Sequence, residues 1–139
     1  MTLYLDTEFN GHGGELISLA LASDKGPHTF YGVLPLPERI HPWVAEHVIP
    51  ILDREPEPVG VFRMRLQHFL ERYGDEGVIA DWPDDFAHLM RVMSGPDYTE
   101  SWCVPLDMRL LNSGDVQPDR PHNALSDAIA LARWHVANR

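Results

Sequence analysis

Cys103 is the only cysteine in this sequence, so no disulfide forms within the chain and no disulfide framework staples the fold. As a small side chain it reads as a buried hydrophobe and not as a nucleophile. Lysine is equally scarce: Lys25 stands alone beside ten arginines, and together they face 21 acidic residues. The net charge of −10 argues against broad electrostatic binding along a phosphate backbone. Any nucleic acid must then be gripped locally, through metal ions, a few arginines and stacking. No apolar run reaches membrane-spanning length, and no signal-peptide pattern precedes the first predicted strand, so cytoplasmic residence is the expectation. Internal repeats and low-complexity tracts are also missing.

What is present fits one globular domain over residues 1–139, with 44% hydrophobic and 23% charged residues. Leu3-Tyr4-Leu5-Asp6-Thr7-Glu8-Phe9 alternates apolar and polar side chains and ends at Asn10-Gly11-His12-Gly13-Gly14, which predicts a strand entering a turn. Glu15-Leu16-Ile17-Ser18-Leu19-Ala20-Leu21-Ala22-Ser23 is almost continuously apolar, as expected of a strand covered on both faces. Thr29-Phe30-Tyr31-Gly32-Val33 follows as a third strand, and the short turns between them predict an antiparallel meander.

Helical spacing then takes over. Trp43, Val44, His47, Val48 and Ile51 mark a first helix, and Phe62, Leu66, Phe69, Leu70 and Tyr73 a second, closed by Gly74. Val78-Ile79-Ala80 predicts a short strand. Pro83 opens a helix with a buried stripe of Phe86, Leu89, Met90 and Met93. Cys103-Val104-Pro105-Leu106 reads as a strand or extended connection. A last helix is predicted near residues 123–137, with Leu125, Ile129, Ala132 and Val136 on its apolar face. Three strands followed by alternating helices and strands predict an α/β layer structure with a mixed sheet.

Chemistry enters through separated acids. Asp6 and Glu8 share one face of the first strand, because successive strand side chains alternate. A lone Asp-x-Glu is more often a polar sheet face meeting water. Asp53-Arg54-Glu55 repeats the pattern in a loop beside Pro56 and Pro58, which shows how little the motif means by itself. More telling is its company: Asp84 and Asp85 open a helix, Asp127 lies in the last helix, and His122 stands five residues before it. Such an array suits two-metal phosphodiester hydrolysis, with carboxylates holding two divalent cations and histidine taking a proton from water. The other histidines (His12, His28, His41, His47, His68, His88 and His135) show no ligand spacing.

Asp6-Thr7-Glu8-Phe9, Asp81-Trp82-Pro83-Asp84-Asp85-Phe86-Ala87-His88-Leu89 and His122-Asn123-Ala124-Leu125-Ser126-Asp127-Ala128 resemble the three motifs of the DEDDh 3′–5′ exonucleases. That family includes oligoribonuclease and RNase T and has an RNase H-like fold. The sequence looks closest to a compact bacterial exoribonuclease subfamily, where a run similar to Glu15-Leu16-Ile17-Ser18 follows the first motif. In the second motif, Asp81 stands where relatives have Asn and Asp84 where they have an aromatic residue. The register puts the ligand at Asp85 and leaves Asp81 and Asp84 to cap the helix or complement its dipole.

The resemblance implies a 3′–5′ exoribonuclease that releases nucleoside 5′-monophosphates from the 3′ end of single-stranded RNA. Asp6, Glu8, Asp85 and Asp127 would hold two Mg²⁺ or Mn²⁺ ions, with His122 as general base. Phe9 and Trp82 are candidates to stack on the terminal base, although the core role, which needs no special explanation, is the commoner one for such residues. A homodimer is a further expectation from the resemblance. Two alternatives stand beside this reading: a DNA exonuclease with the same site, and a catalytically silent nucleic-acid-binding module of the same fold.

Overall fold

The computed structural model describes residues 1–95 and 106–139. Strands β1 (Leu3–Phe9), β2 (Leu16–Ser23) and β3 (Thr29–Val33) form the predicted antiparallel meander. On the other side of β1, β4 (Val78–Ala80) and β5 (Met108–Leu110) continue the sheet in parallel, giving the order β3-β2-β1-β4-β5. Helices α1 (Pro42–His47), α2 (Val59–Tyr73), α3 (Pro83–Ser94) and α4 (Ala124–Asn138) complete the described elements, with a 3-10 turn at Ile49–Ile51. This is the mixed α/β sheet that the sequence predicts.

Two apolar layers sandwich the sheet. Leu3 and Leu5 of β1 and Leu19 and Leu21 of β2 face Phe62, Leu66 and Leu70 of α2 and Leu89 of α3. Those α2 residues recur every four positions, so they share one helix face, and each burial contributes about 1.5–3 kcal/mol. Ala20, Ala22 and Val33 face the other way, against Val44, Val48, Ala124 and Ala128. The apolar run of β2 is thus explained by cover on both faces.

The helix stripes differ in detail from their predicted faces. Met90 is exposed and Val92 takes its place with Leu89 and Met93, because the buried stripe of α3 runs through Asp85, His88, Leu89, Val92 and Met93, one position round from the predicted one. In α4 the small residues Ala124, Ala128 and Ala132 are buried and Val136 is exposed, which lets the helix approach β1 and β2 closely. His135 is a satisfied core residue, 2.8 Å from the Tyr4 hydroxyl. Of the predicted strand at 103–106, residues 103–105, Cys103 among them, fall outside the described residues. Leu106 belongs to no strand and packs against the core, and β5 begins at Met108. All three β5 residues are exposed, so no burial pattern marked that strand in the sequence. No helix among the described residues is long and apolar enough to cross a membrane.

Candidate metal centre

β1 supplies both layers from alternate positions. Leu3, Leu5 and Thr7 point toward α2 and α3, whereas Tyr4, Asp6 and Glu8 point toward α4. The β1–β2 register shifts between Glu8 and Phe9: Glu8 pairs with Ser18 and Phe9 with Leu16, leaving Ile17 as an extra residue. Such bulges re-aim side chains at strand ends. Here Ile17 joins the α4-side core instead of alternating to the opposite face.

Three other elements bring acids to this strand. In α4, Asn123 caps the helix by accepting from Ser126 N at 3.1 Å, and Asp127 sits in the first turn with its amide on Asn123 O. In α3, Asp85 lies in the first turn, is 3% exposed, and accepts from Thr7 Oγ1 at 2.5 Å. β4 runs parallel to β1 with Leu3 beside Val78 and Tyr4 beside Ile79; continuing that register two residues sets Asp81 beside Asp6.

The result is two overlapping carboxylate groups. Asp6, Glu8 and Asp127 bring one oxygen each within 4.8 Å of one another, and so do Asp6, Asp81 and Asp85. Asp6 belongs to both. Its Oδ2 is sealed from solvent and has no hydrogen-bond partner, an arrangement that costs free energy unless a ligand completes it. A cavity of about 180 Å³ lined by Asp6, Asp81, Asp127 and Pro118 adjoins these oxygens. An all-oxygen, anionic donor set of this kind fits hard divalent cations such as Mg²⁺ or Mn²⁺.

Burial and mutual repulsion shift these acids toward their protonated forms. Asp6 is raised well above the ordinary carboxylate range, by burial first and then by the charges of Asp85, Glu8, Asp127 and Asp81. Glu8 is pushed up to about 9 by burial and by Asp127, with which it shares a hydrogen bond. Asp85 rises to about 7 by burial, opposed by its Thr7 bond. Burial also lifts Asp127 to about 6, opposed by the Glu8 hydrogen bond and the charge of His122. A bound cation reverses this balance, because it favours the ionised form of every acid around it.

The fold therefore brings Asp6, Glu8, Asp85 and Asp127 together from three separate stretches. It adds Asp81, which the sequence reading assigned to the helix start. Trp82 occupies the N-cap position of α3, without a side-chain cap, and Asp81 instead accepts from Ser113 Oγ at 3.0 Å and turns its carboxylate to Asp6. The signal for Asp81 was its place directly after a strand, but reading it required the parallel pairing of β4 with β1. Asp84 is in neither group; it lies in the first turn of α3, 3.4 Å from Trp82 Nε1.

His122 is exposed and belongs to neither group. Its ring stands edge-on to Trp43 at 5.0 Å, and its backbone has φ 69°, in the left-handed region. Phe9 is half-buried, its ring tilted against His88 of α3 with centroids 4.6 Å apart. A second cavity, of about 270 Å³, opens beside Glu8 and is walled by Phe9, Trp43 and Trp82. Trp43, which the sequence reading placed on an apolar helix face, is 46% exposed, and Trp82 is 59% exposed. Both present ring surface to that cavity and neither is a core residue.

No protein-family model matches the chain, and no curated protein sequence matches it. The fold matches the crystal structure of cell-death related nuclease 4 (CRN-4) with a TM-score of 0.59 at 14% identity. The match covers 99% of this chain and 63% of that one, so the chain spans less than two thirds of that nuclease's length. At this identity the likeness is one of fold.

Proposed function

We propose that this chain is a divalent-metal-dependent 3′–5′ exoribonuclease of DEDDh type, releasing nucleoside 5′-monophosphates from single-stranded RNA. The observation that carries the reading is the pair of carboxylate groups joined through Asp6. Two adjacent acidic sites on a shared ligand suit two ions acting on one phosphodiester. The fold likeness to a nuclease supports it. Asp6, Glu8 and Asp127 would hold one Mg²⁺ or Mn²⁺ ion, and Asp6, Asp85 and Asp81 the other. When bound, such ions supply positive charge for the scissile phosphate and the departing 3′ oxygen.

The remaining work falls to side chains of the chain itself. Thr7 holds Asp85 in orientation, and the capped first turn of α4 holds Asp127. A ring nitrogen of His122, whose charge acts on Asp127, accepts the proton of the attacking water. Phe9 and Trp82, with Trp43, form apolar walls against which the terminal base stacks. With a net charge of −10 the protein gains little from tracking a long backbone, so recognition is concentrated on the last nucleotides.

The test is incubation of 5′-labelled single-stranded RNA and DNA oligonucleotides with Mg²⁺, Mn²⁺ or EDTA. Metal-dependent laddering of RNA from its 3′ end is the expected result. Laddering of DNA alone would replace RNA as the substrate, and binding without cleavage under either ion would leave a silent module.

A further inference from the structure

His122 is one of two non-glycine residues among those described with a left-handed backbone; the other is Asp53, φ 57°. A histidine held there persists only where its surroundings over-determine it. The surroundings of His122 are specific. On its N-terminal side, Arg120 makes a two-pronged ion pair with Asp53, Nε–Oδ2 2.5 Å and Nη2–Oδ1 2.9 Å. On its C-terminal side, Asn123 Nδ2 donates to Ile51 O at 2.9 Å while Asn123 Oδ1 caps α4. Both anchors thus end on one short segment, residues 51–53.

That segment is itself fixed from the sheet. The Tyr31 hydroxyl on β3 donates to Leu52 O at 2.6 Å and lies 3.5 Å from Asn123 Nδ2. Tyr31 and Asn123 are both buried, at 8% and 5% exposure, so these bonds form away from competing water. Arg120 N on Ser126 Oγ, and Asn123 N on Arg120 O, close the turn around His122. Asp53 is in neither carboxylate group, whereas Asn123 also caps the turn of α4 that carries Asp127. Together they fix the backbone of the residue that presents the imidazole.

We propose that Tyr31, Asn123 and the Asp53–Arg120 pair form a clamp that holds His122 in its left-handed conformation, making them positioning residues for its ring. This rests on the reading of His122 as the proton acceptor. Tyr31 acts at a distance: its hydroxyl orders residues 51–53, and these in turn hold Arg120 and Asn123 on either side of the histidine. Asp53, in the loop Asp53-Arg54-Glu55, is thereby an anchor and not a ligand.

Tyr31→Phe tests the clamp, since it keeps the buried ring and removes only the hydroxyl. With the metal-loaded protein and a single-stranded RNA oligonucleotide, kcat should fall about 10-fold, short of the 10²-fold that a 1 Å misplacement can cost. KM and the Mn²⁺-induced rise in melting temperature should be unchanged. Asp53→Asn, at the surface, should give the same pattern. In a His122→Ala background, Tyr31→Phe should lower the residual rate no further. An unchanged kcat in both single variants would overturn the clamp, as would an equal fractional loss in the His122→Ala background, which would mark a general structural role. Near-normal turnover in His122→Ala alone would instead remove the proton acceptor, and with it the clamp's purpose, whatever Tyr31→Phe does.

Discussion

Thr7 donates its hydroxyl hydrogen to Asp85 across 78 residues of sequence, from inside the same motif that carries Asp6 and Glu8. Strand alternation makes this possible. Asp6 and Glu8 point to the α4 side, Thr7 between them points to the α3 side, and Asp85 of α3 accepts from Thr7 while it groups with Asp6 and Asp81. One short strand thereby delivers two carboxylates and orients a third.

Removing that bond while keeping the shape should loosen Asp85. Thr7→Val should lower Mn²⁺ affinity or turnover by roughly 10–100-fold, the usual scale for an outer partner of a metal ligand. Titration of melting temperature against Mn²⁺, alongside kcat, measures it. An unchanged midpoint and rate would show that Asp85 is held by α3 alone.

Neighbouring acids in α3 should separate sharply. Asp85→Asn is expected to reduce turnover at least about 100-fold, because it removes a proposed ligand outright and not merely its partner. Asp84→Asn, outside both carboxylate groups, should keep most of the activity. Equal losses would mean that the site is assembled differently from the register of β1 and α3.

Asp81 provides an independent check on the second group. Asp81→Asn should weaken one of two Mn²⁺-binding events, seen by calorimetry on the substrate-free protein, and leave the other near wild type. Loss of neither, or of both together, would contradict the division of ligands around Asp6.

Much of this architecture was legible because it rests on local chemistry. The alternation in β1 and the turns after it define the meander, and Gly74 ends α2 where its amide reaches Leu70 O at 2.8 Å. Asp6, Glu8, Asp85 and Asp127 were singled out by the resemblance of three stretches to known motifs, and the fold gathers them around Asp6. Asp81 was misread because parallel pairing between β1 and β4 is not encoded in either strand alone. Trp43 was misread for a related reason: helical spacing marks a face but not what that face meets, and here it meets an open cavity. β5 escaped because a three-residue edge strand with every side chain exposed has no pattern to read.

The raised carboxylates fix the sign of a pH effect on the metal-free protein. Glu8 near 9, Asp85 near 7 and Asp127 near 6 all lie above their unfolded values, so the folded state binds more protons than the unfolded state. Their contribution to stability is complete below about pH 4, near the unfolded carboxylate values. It is lost as pH rises through 6, 7 and 9. Melting temperature in EDTA should therefore decline across that window, and the rise produced by added Mn²⁺ should grow with pH. An Asp6→Asn, Asp127→Asn double variant should show a flatter profile and a smaller Mn²⁺ shift; an identical profile and shift would place the effect elsewhere.

The central claim is tested most directly by identifying what leaves a single-stranded RNA. With Mn²⁺ and an RNA carrying a 3′-terminal label, mass analysis should find the terminal nucleoside 5′-monophosphate as the first product. Asp6→Asn should abolish its release, because Asp6 is shared by both carboxylate groups. Release of internal fragments first, or full activity in Asp6→Asn, would contradict the account.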